Sequence, residues 1–153
     1  HFTEEVGGKY RILAWNMVGT VSLRKEFAFT SIDVDFMNKQ FHRNLVLADD
    51  FGIEMACLNY SGLLLASKAT ITEIDEYEED DIDDELAGVD EDKRRKKSSN
   101  IQFKPFDESR DVKEWNYELK NNESVECIAS GSGWCCVLTS PCNYLRVFSA
   151  DGI

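Results

Sequence analysis

Five cysteines, Cys57, Cys127, Cys135, Cys136 and Cys142, are the residues best equipped for chemistry. Structural zinc takes four Cys or His ligands, commonly in pairs with about two to four residues between them. Cys127 and Cys135 are too widely separated for such a pair, Cys135 and Cys136 are adjacent, and Cys142 stands apart from both. Adjacent residues of a strand point to opposite faces, so Cys135 and Cys136 do not chelate one ion together. His1 and His42, the two histidines, are distant in sequence. The five thiols therefore read as reduced core residues of an intracellular protein, because free cysteine packs as a small hydrophobe.

The other reactive groups fare no better. Nucleophilic catalysis needs a base within hydrogen-bond reach, and His42 lies in the charged turn Gln40-Phe41-His42-Arg43, where it reads as a surface residue. The serine of Gly131-Ser132-Gly133 lies between two strand-like segments, in a hairpin turn rather than a strand-to-helix elbow. Val6-Gly7-Gly8-Lys9-Tyr10 has the glycines and lysine of a phosphate loop but lacks its first glycine and its Ser/Thr, and no helix follows. Asp33 and Asp35 share one strand face and could hold a cation or act as acid and base. With no third oxygen cluster beside them, they read as the wet face of a strand. Lys93-Arg94-Arg95-Lys96-Lys97 fits an import signal, a phosphate-contacting patch or a counterweight to the acids before it; the acids weaken its long-range field, which favours an import signal over DNA contact. No catalytic, cofactor-binding or metal-binding residue is assigned from the sequence.

The elements that must position these groups are strands. The chain has 153 residues, 17 Lys+Arg against 29 Asp+Glu, and a net charge of −12. That balance disfavours direct binding to a nucleic-acid backbone or an anionic membrane. No apolar run approaches the roughly 20 residues of a membrane span, and no secretory leader opens the chain. His1 in place of an initiator methionine fits a piece of a longer protein. The segment Glu73–Asp92 packs 13 acids into 20 positions, and KRRKK follows. Such a block buries too little apolar area to offset its ordering entropy, so residues 73–97 are expected to form a disordered insertion.

Outside it, eleven segments read as strands: Tyr10–Asn16, Thr20–Lys25, Ser31–Phe36, Asn44–Asp49, Glu54–Tyr60, Leu63–Ser67, Asn100–Phe106, Glu114–Leu119, Val125–Ser130, Trp134–Thr139 and Tyr144–Ser149. Ile32, Val34 and Phe36 alternate with Asp33 and Asp35. Pro105 makes its strand an edge or a late-ending one, and Pro141 fits a turn. Three segments, Arg11–Trp15, Leu63–Ala66 and Trp134–Leu138, are apolar on both faces, as in sheets stacked against neighbours on each side. Propeller blades have that geometry, with four strands in about 40–45 residues. Eleven strands make a little under three blades. The expected fold is all-β: an incomplete β-propeller of about two to three WD-like blades, a fragment of a larger protein, with a sandwich or open barrel as the alternative. Two uncovered ends would make the separate chain a poor monomer. Trp134, leading the most apolar strand, is expected to anchor the core.

His1–Asn16, Ser61–Ala66, Gly133-Trp134, Leu138–Ser140 and Leu145–Phe148 resemble the second β-propeller, or SepB domain, of the WD-repeat and HMG-box DNA-binding protein family, whose fungal members are called chromosome transmission fidelity or minichromosome loss factors. The resemblance covers roughly residues 1–68 and 100–153; the block at 73–97 departs from the family pattern. It implies a six-bladed propeller in a nuclear homotrimeric scaffold. That scaffold ties the replicative helicase to the polymerase alpha–primase complex, with no enzymatic activity, cofactor, membrane or small-molecule substrate. DNA is reached indirectly or through regions absent from this chain. A DNA- or chromatin-contacting domain is the alternative function.

Overall fold

Strands form where apolar and β-branched residues alternate with polar ones, and each ends at a short polar or glycine-bearing turn. The computed structural model describes residues 9–73, 94–107, 111–120 and 122–153. Among them are thirteen strands and no helix: β1 (Lys9–Trp15), β2 (Gly19–Lys25), β3 (Thr30–Phe36), β4 (Leu45–Ala48), β5 (Met55–Leu58), β6 (Gly62–Ala66), β7 (Thr70–Glu73), β8 (Arg94–Lys97), β9 (Asn100–Pro105), β10 (Trp115–Glu118), β11 (Ser124–Gly131), β12 (Trp134–Ser140) and β13 (Leu145–Ser149). The eleven expected strands are all present. Pro105 ends β9 but lies on an inner strand, and Pro141 follows a cis peptide bond in the β12–β13 turn.

Three antiparallel meanders result: β1-β2-β3-β4, β5-β6-β9-β10 and β11-β12-β13. The first strand of the second sheet, β5, touches β1 on one side and β11 on the other. The sheets thus fan out from a shared inner line, as consecutive blades of a partial propeller do. We call them blades 1, 2 and 3.

Two apolar seams hold the blades together. Leu63 and Leu65 of β6 pack with Val21, Ile32, Val34 and Phe36 of blade 1. Their alternate neighbours Leu64 and Ala66 pack with Ile101, Phe103, Val125, Cys135, Val137 and Phe148 in the opposite seam. Only one of the three segments read as apolar on both faces is buried on both. In β1, Ile12 is 61% exposed, because among the described residues no sheet covers the back of blade 1. In β12, Cys135 and Val137 face blade 2, while Trp134, Cys136 and Leu138 lie on the outer face.

Between β6 and β9 an extra hairpin, β7–β8, pairs Thr70 with Lys97 and Glu73 with Arg94. The expectation of disorder over 73–97 therefore fails at both ends of the block. Main-chain pairing with Thr70–Glu73 makes Arg94–Lys97 a regular strand. The acidic centre, 74–93, lies outside the described residues.

The outer face of blade 3 is apolar. The register places Cys136 beside Val147 and Ala129, and Leu138 beside Leu145 and Cys127. Leu145 and Val147 are about two-thirds exposed on β13, an edge strand. Edges and apolar faces of this kind drive association. In sedimentation velocity the chain is expected to shift from monomer to larger species as concentration rises, and Leu145→Lys with Val147→Lys to suppress the shift. Equal association by the doubly substituted chain would assign it to another surface.

Candidate interaction surface

At one end of the blades lie the β1–β2, β3–β4, β5–β6 and β11–β12 turns and the segment after β9. Two of these turns use one device. Asn16 Oδ1 accepts from the amides of Val18 (2.9 Å) and Gly19 (3.3 Å), and Asn59 Oδ1 accepts from those of Ser61 (2.7 Å) and Gly62 (3.1 Å). Each Asn then reaches into the next blade. Asn16 Nδ2 donates to the Leu58 carbonyl at 2.7 Å, and Asn59 Nδ2 donates to Ser130 Oγ at 2.9 Å. The glycine closing each turn is required by space. A Cβ on Gly19 would collide with the Asp35 carbonyl, and one on Gly62 would meet Phe103 at 2.5 Å and the Lys104 carbonyl at 2.6 Å. The repeated signal Asn-x-x-Gly, spaced by one blade of about 40–45 residues, stands in the sequence at 16–19 and 59–62, and strand patterning alone passes over it.

These turns create an aromatic seam between blades 1 and 2. Phe36, Phe41 and His42 come from blade 1, and Tyr60 and Phe106 from blade 2. Phe36 meets Phe106 edge-on at 5.0 Å between ring centres, and Phe41 meets Tyr60 edge-on at 5.2 Å. The His42 ring lies 5.0 Å from Phe36 and 5.3 Å from Phe106, with Nδ1 2.7 Å from the Arg43 carbonyl. His42 is thus half-buried among rings, not the free surface residue its charged sequence neighbours suggest. A carbonyl only accepts, so Nδ1 carries the proton of that bond. Met37 donates its amide to the Val18 carbonyl at 3.0 Å, which joins Met37 to the Met17 turn. Met17, Met37 and Tyr60 are each more than half exposed, and Phe41 is 38% exposed. Exposed aromatic and methionine side chains on well-anchored turns are the composition of protein-binding hot spots.

The other singled-out residues stay dispersed. Asp33 lies 3.6 Å from Arg24, and Asp35 hydrogen-bonds Lys39, which holds the Asp35 carboxyl below its usual range. Each carboxylate already has its own cation. Of the cysteines only Cys135 is buried, Cys57 and Cys136 are half-buried, and Cys127 and Cys142 are exposed, so the core reading holds for one thiol. Among the described residues no three His, Cys, Asp or Glu side chains gather as a metal site. Gly131-Ser132-Gly133 is the expected hairpin turn. Val6–Gly8 lie outside the described residues.

The tryptophan expectation is corrected as well. Trp134 is 44% exposed and its indole lies against Gly131, because it stands on the outer face of blade 3. The anchoring tryptophan is Trp115. It stacks on Phe103 at 5.9 Å, lies 5.5 Å from Phe148 and donates Nε1–H to the Ala150 carbonyl at 2.8 Å, tying blade 2 to blade 3. The sequence signal for Trp134 was the greasiness of its strand, which cannot say which face is covered.

Two measurements follow. Trp115→Ala is expected to cost about 3 kcal/mol or more of unfolding free energy, and Trp134→Ala to stay within about 1 kcal/mol of the parent. The reverse order in urea melts would restore Trp134 as the anchor. Burial, then the neighbouring Cys57 and Cys136, push the Cys135 thiol up to about 11. A thiol reacts as its thiolate. In the native chain near neutral pH, iodoacetamide should therefore label Cys127 and Cys142 and spare Cys135. Equal labelling of all three would contradict the burial.

The chain matches the family model described as minichromosome loss protein, Mcl1, middle region, over residues 2–153. It is 28% identical over 144 residues to WD repeat and HMG-box DNA-binding protein 1 of Homo sapiens, covering 94% of this chain and 10% of that protein. It is 31% identical over 147 residues to Minichromosome loss protein 1 of Schizosaccharomyces pombe, covering 95% of this chain and 15% of the relative. Protein ENHANCER OF LHP1 1 of Arabidopsis thaliana is 27% identical over 147 residues, or 95% of this chain and 13% of its own length. The chain therefore spans a small part of each of these relatives. A seam-built, partial propeller matched along almost its whole length by one family model places this chain in the Mcl1 middle-region family.

Proposed function

We propose that this chain is part of a propeller that serves as a non-enzymatic interaction module in a nuclear DNA-replication adaptor. In the complete protein, a homotrimer, it helps link the replicative helicase to DNA polymerase alpha–primase. The observation that supports this reading most is the exposed Met17–Met37–Phe41–Tyr60 surface, built on turns that hydrogen bonds and ring contacts hold fixed. Preorganised apolar anchors favour binding because little entropy is lost when a partner docks. The family to which the chain belongs carries names that speak of minichromosome loss, in keeping with a part in copying or transmitting chromosomes.

Ser130 and Glu123 hold structural hydrogen bonds. Ser130 donates to Cys57 Sγ at 3.2 Å and accepts from Asn59. Glu123 accepts from Arg146 Nε and Nη2 at 2.8 and 2.7 Å, and these bonds, joined by one from Thr139, hold its carboxyl low. No helix among the described residues is long and apolar enough to cross a membrane.

A second reading, contact with DNA or chromatin, draws on β8, where Arg94–Lys97 places four basic residues on one strand. One experiment separates the two. The complete protein, immobilised, is offered purified helicase, polymerase alpha–primase and duplex DNA at rising salt. Capture of both enzymes that persists as salt rises is the expected outcome. Failure to capture either enzyme, with DNA retained at low salt and lost steeply, by close to one power of salt per phosphate contact, would overturn the scaffold reading in favour of the second.

A further inference from the structure

We infer that the turn end of the blade 1–blade 2 seam is a docking site for a short acidic peptide that carries a bulky apolar side chain. This rests on the interaction-module reading and adds to it the place and the chemistry of the partner segment.

The apolar half of the recognition comes from four exposed side chains carried by neighbouring turns at this end of the blades. Met17 and Met37 are joined through the Met37–Val18 main-chain bond, and Phe41 and Tyr60 through their ring contact. The Asn16–Leu58 hydrogen bond fixes the two turns relative to each other. Methionine adapts its shape to an incoming side chain at little cost, and the rings supply rigid walls.

The acidic half comes from charge. The chain as a whole carries −12, yet Met37–Asn44 holds Lys39, His42 and Arg43 and no carboxylate. Lys39 is engaged by Asp35 and Asn44. Arg43 is exposed beside Phe41 and His42, and its guanidinium has no partner among the described residues. An unpaired arginine at the rim of an apolar patch attracts a carboxylate and selects against basic partners. Single-stranded nucleic acid fits the patch less well. Phe41 and Tyr60 meet at 89°, so they form no stacking platform for successive bases, and one free cation cannot track a phosphate backbone.

The test selects a phage-displayed library of random peptides, about twelve residues long, on the immobilised chain, then measures each selected peptide by fluorescence anisotropy. Selected peptides are expected to combine Asp or Glu with Phe, Leu or Trp. Tyr60→Ala and Arg43→Glu should each weaken them at least about tenfold, and Arg43→Lys only about two- to threefold. Leu145→Lys, on the remote outer face of blade 3, should change nothing. All three positions are exposed, so folding survives, which a thermal melt verifies. No peptide enriched, selected peptides without acids, binding that ignores Tyr60→Ala and Arg43→Glu, or complete displacement by an oligothymidine strand each overturn the site. Enzyme capture by the complete protein could persist through another surface, so the scaffold reading fails or stands separately.

Discussion

The fold depends on burying both faces of β6. Leu63, Leu64, Leu65 and Ala66 are each at most 1% exposed, and they alternate strictly between the two seams. A strand in that position cannot be stabilised by its own sheet. Each face needs a neighbouring sheet, and burying a leucine is worth roughly 1.5–3 kcal/mol. Blades 1 and 3 are thus bound to blade 2 by one tetrapeptide. Polar residues are excluded from its faces, which is why β6 reads as a continuous apolar run rather than an alternating one. The seams differ farther from the inner line. On the blade 1 side, Gln102 and Lys104 of β9 bond Glu114 in the open, whereas on the blade 3 side Phe103, Trp115, Tyr117 and Phe148 continue the apolar contact outward.

Apolar burial brings blades together without fixing their relative height, because oily faces can slide. The Asn16 and Asn59 side chains supply that register. Each spends its oxygen on its own turn and its amide on the next blade, so the turns cannot shift independently. In blade 3 the equivalent of the Asn is Gly131 and the equivalent of the closing glycine is Trp134. The series stops there, and Ser130 serves as its last acceptor. The patch of Met17, Met37, Phe41 and Tyr60 is a by-product of this construction. Turns pinned from beneath present their outward side chains in fixed places, and that is what a binding surface requires.

Much of this was legible in the residues. Composition and the period-2 pattern located all eleven blade strands, and Leu63–Ala66 pointed to stacked sheets before any coordinates. Side-chain location beyond the strand was less legible, for physical reasons. Trp134 and Trp115 both sit beside strand starts, but only tertiary placement puts Trp115 under the Ala150 carbonyl and leaves Trp134 outside. His42 sits among charged neighbours, yet a loop that folds back across Phe36 buries one side of its ring. The β7–β8 ladder was missed because charge density argues for solvation, whereas main-chain pairing of two short segments does not depend on how apolar they are. The binding patch could have been found from the Asn-x-x-Gly repeat, which announces equivalent turns and hence shared exposure for what those turns carry.

The two outer faces of the three-blade unit differ in their charge. The back of blade 1 carries a polar and charged middle, Thr20, Ser22, Arg24, Asp33 and Asp35, flanked by the exposed Tyr10, Ile12, Trp15 and Val46. Arg24 Nε lies 3.6 Å from both Asp33 and Glu26 and donates to Ser31 Oγ at 3.2 Å, and a hydrogen bond with Tyr10, then Asp33, keeps the guanidinium charged. The front of blade 3 presents Cys136, Leu138, Leu145 and Val147. Laying the second face on the first would strip water from ions whose partners supply only part of what hydration gives. Head-to-tail stacking of chains, the route to open filaments, is therefore disfavoured. Two blade 3 fronts, by contrast, match each other, and a like-with-like contact closes after two copies. The charged middle of the blade 1 back thus works against the head-to-tail contact. Whatever sheet covers blade 1 in a longer protein must meet Arg24 and Asp33 with polar groups and Ile12, Trp15 and Val46 with apolar ones.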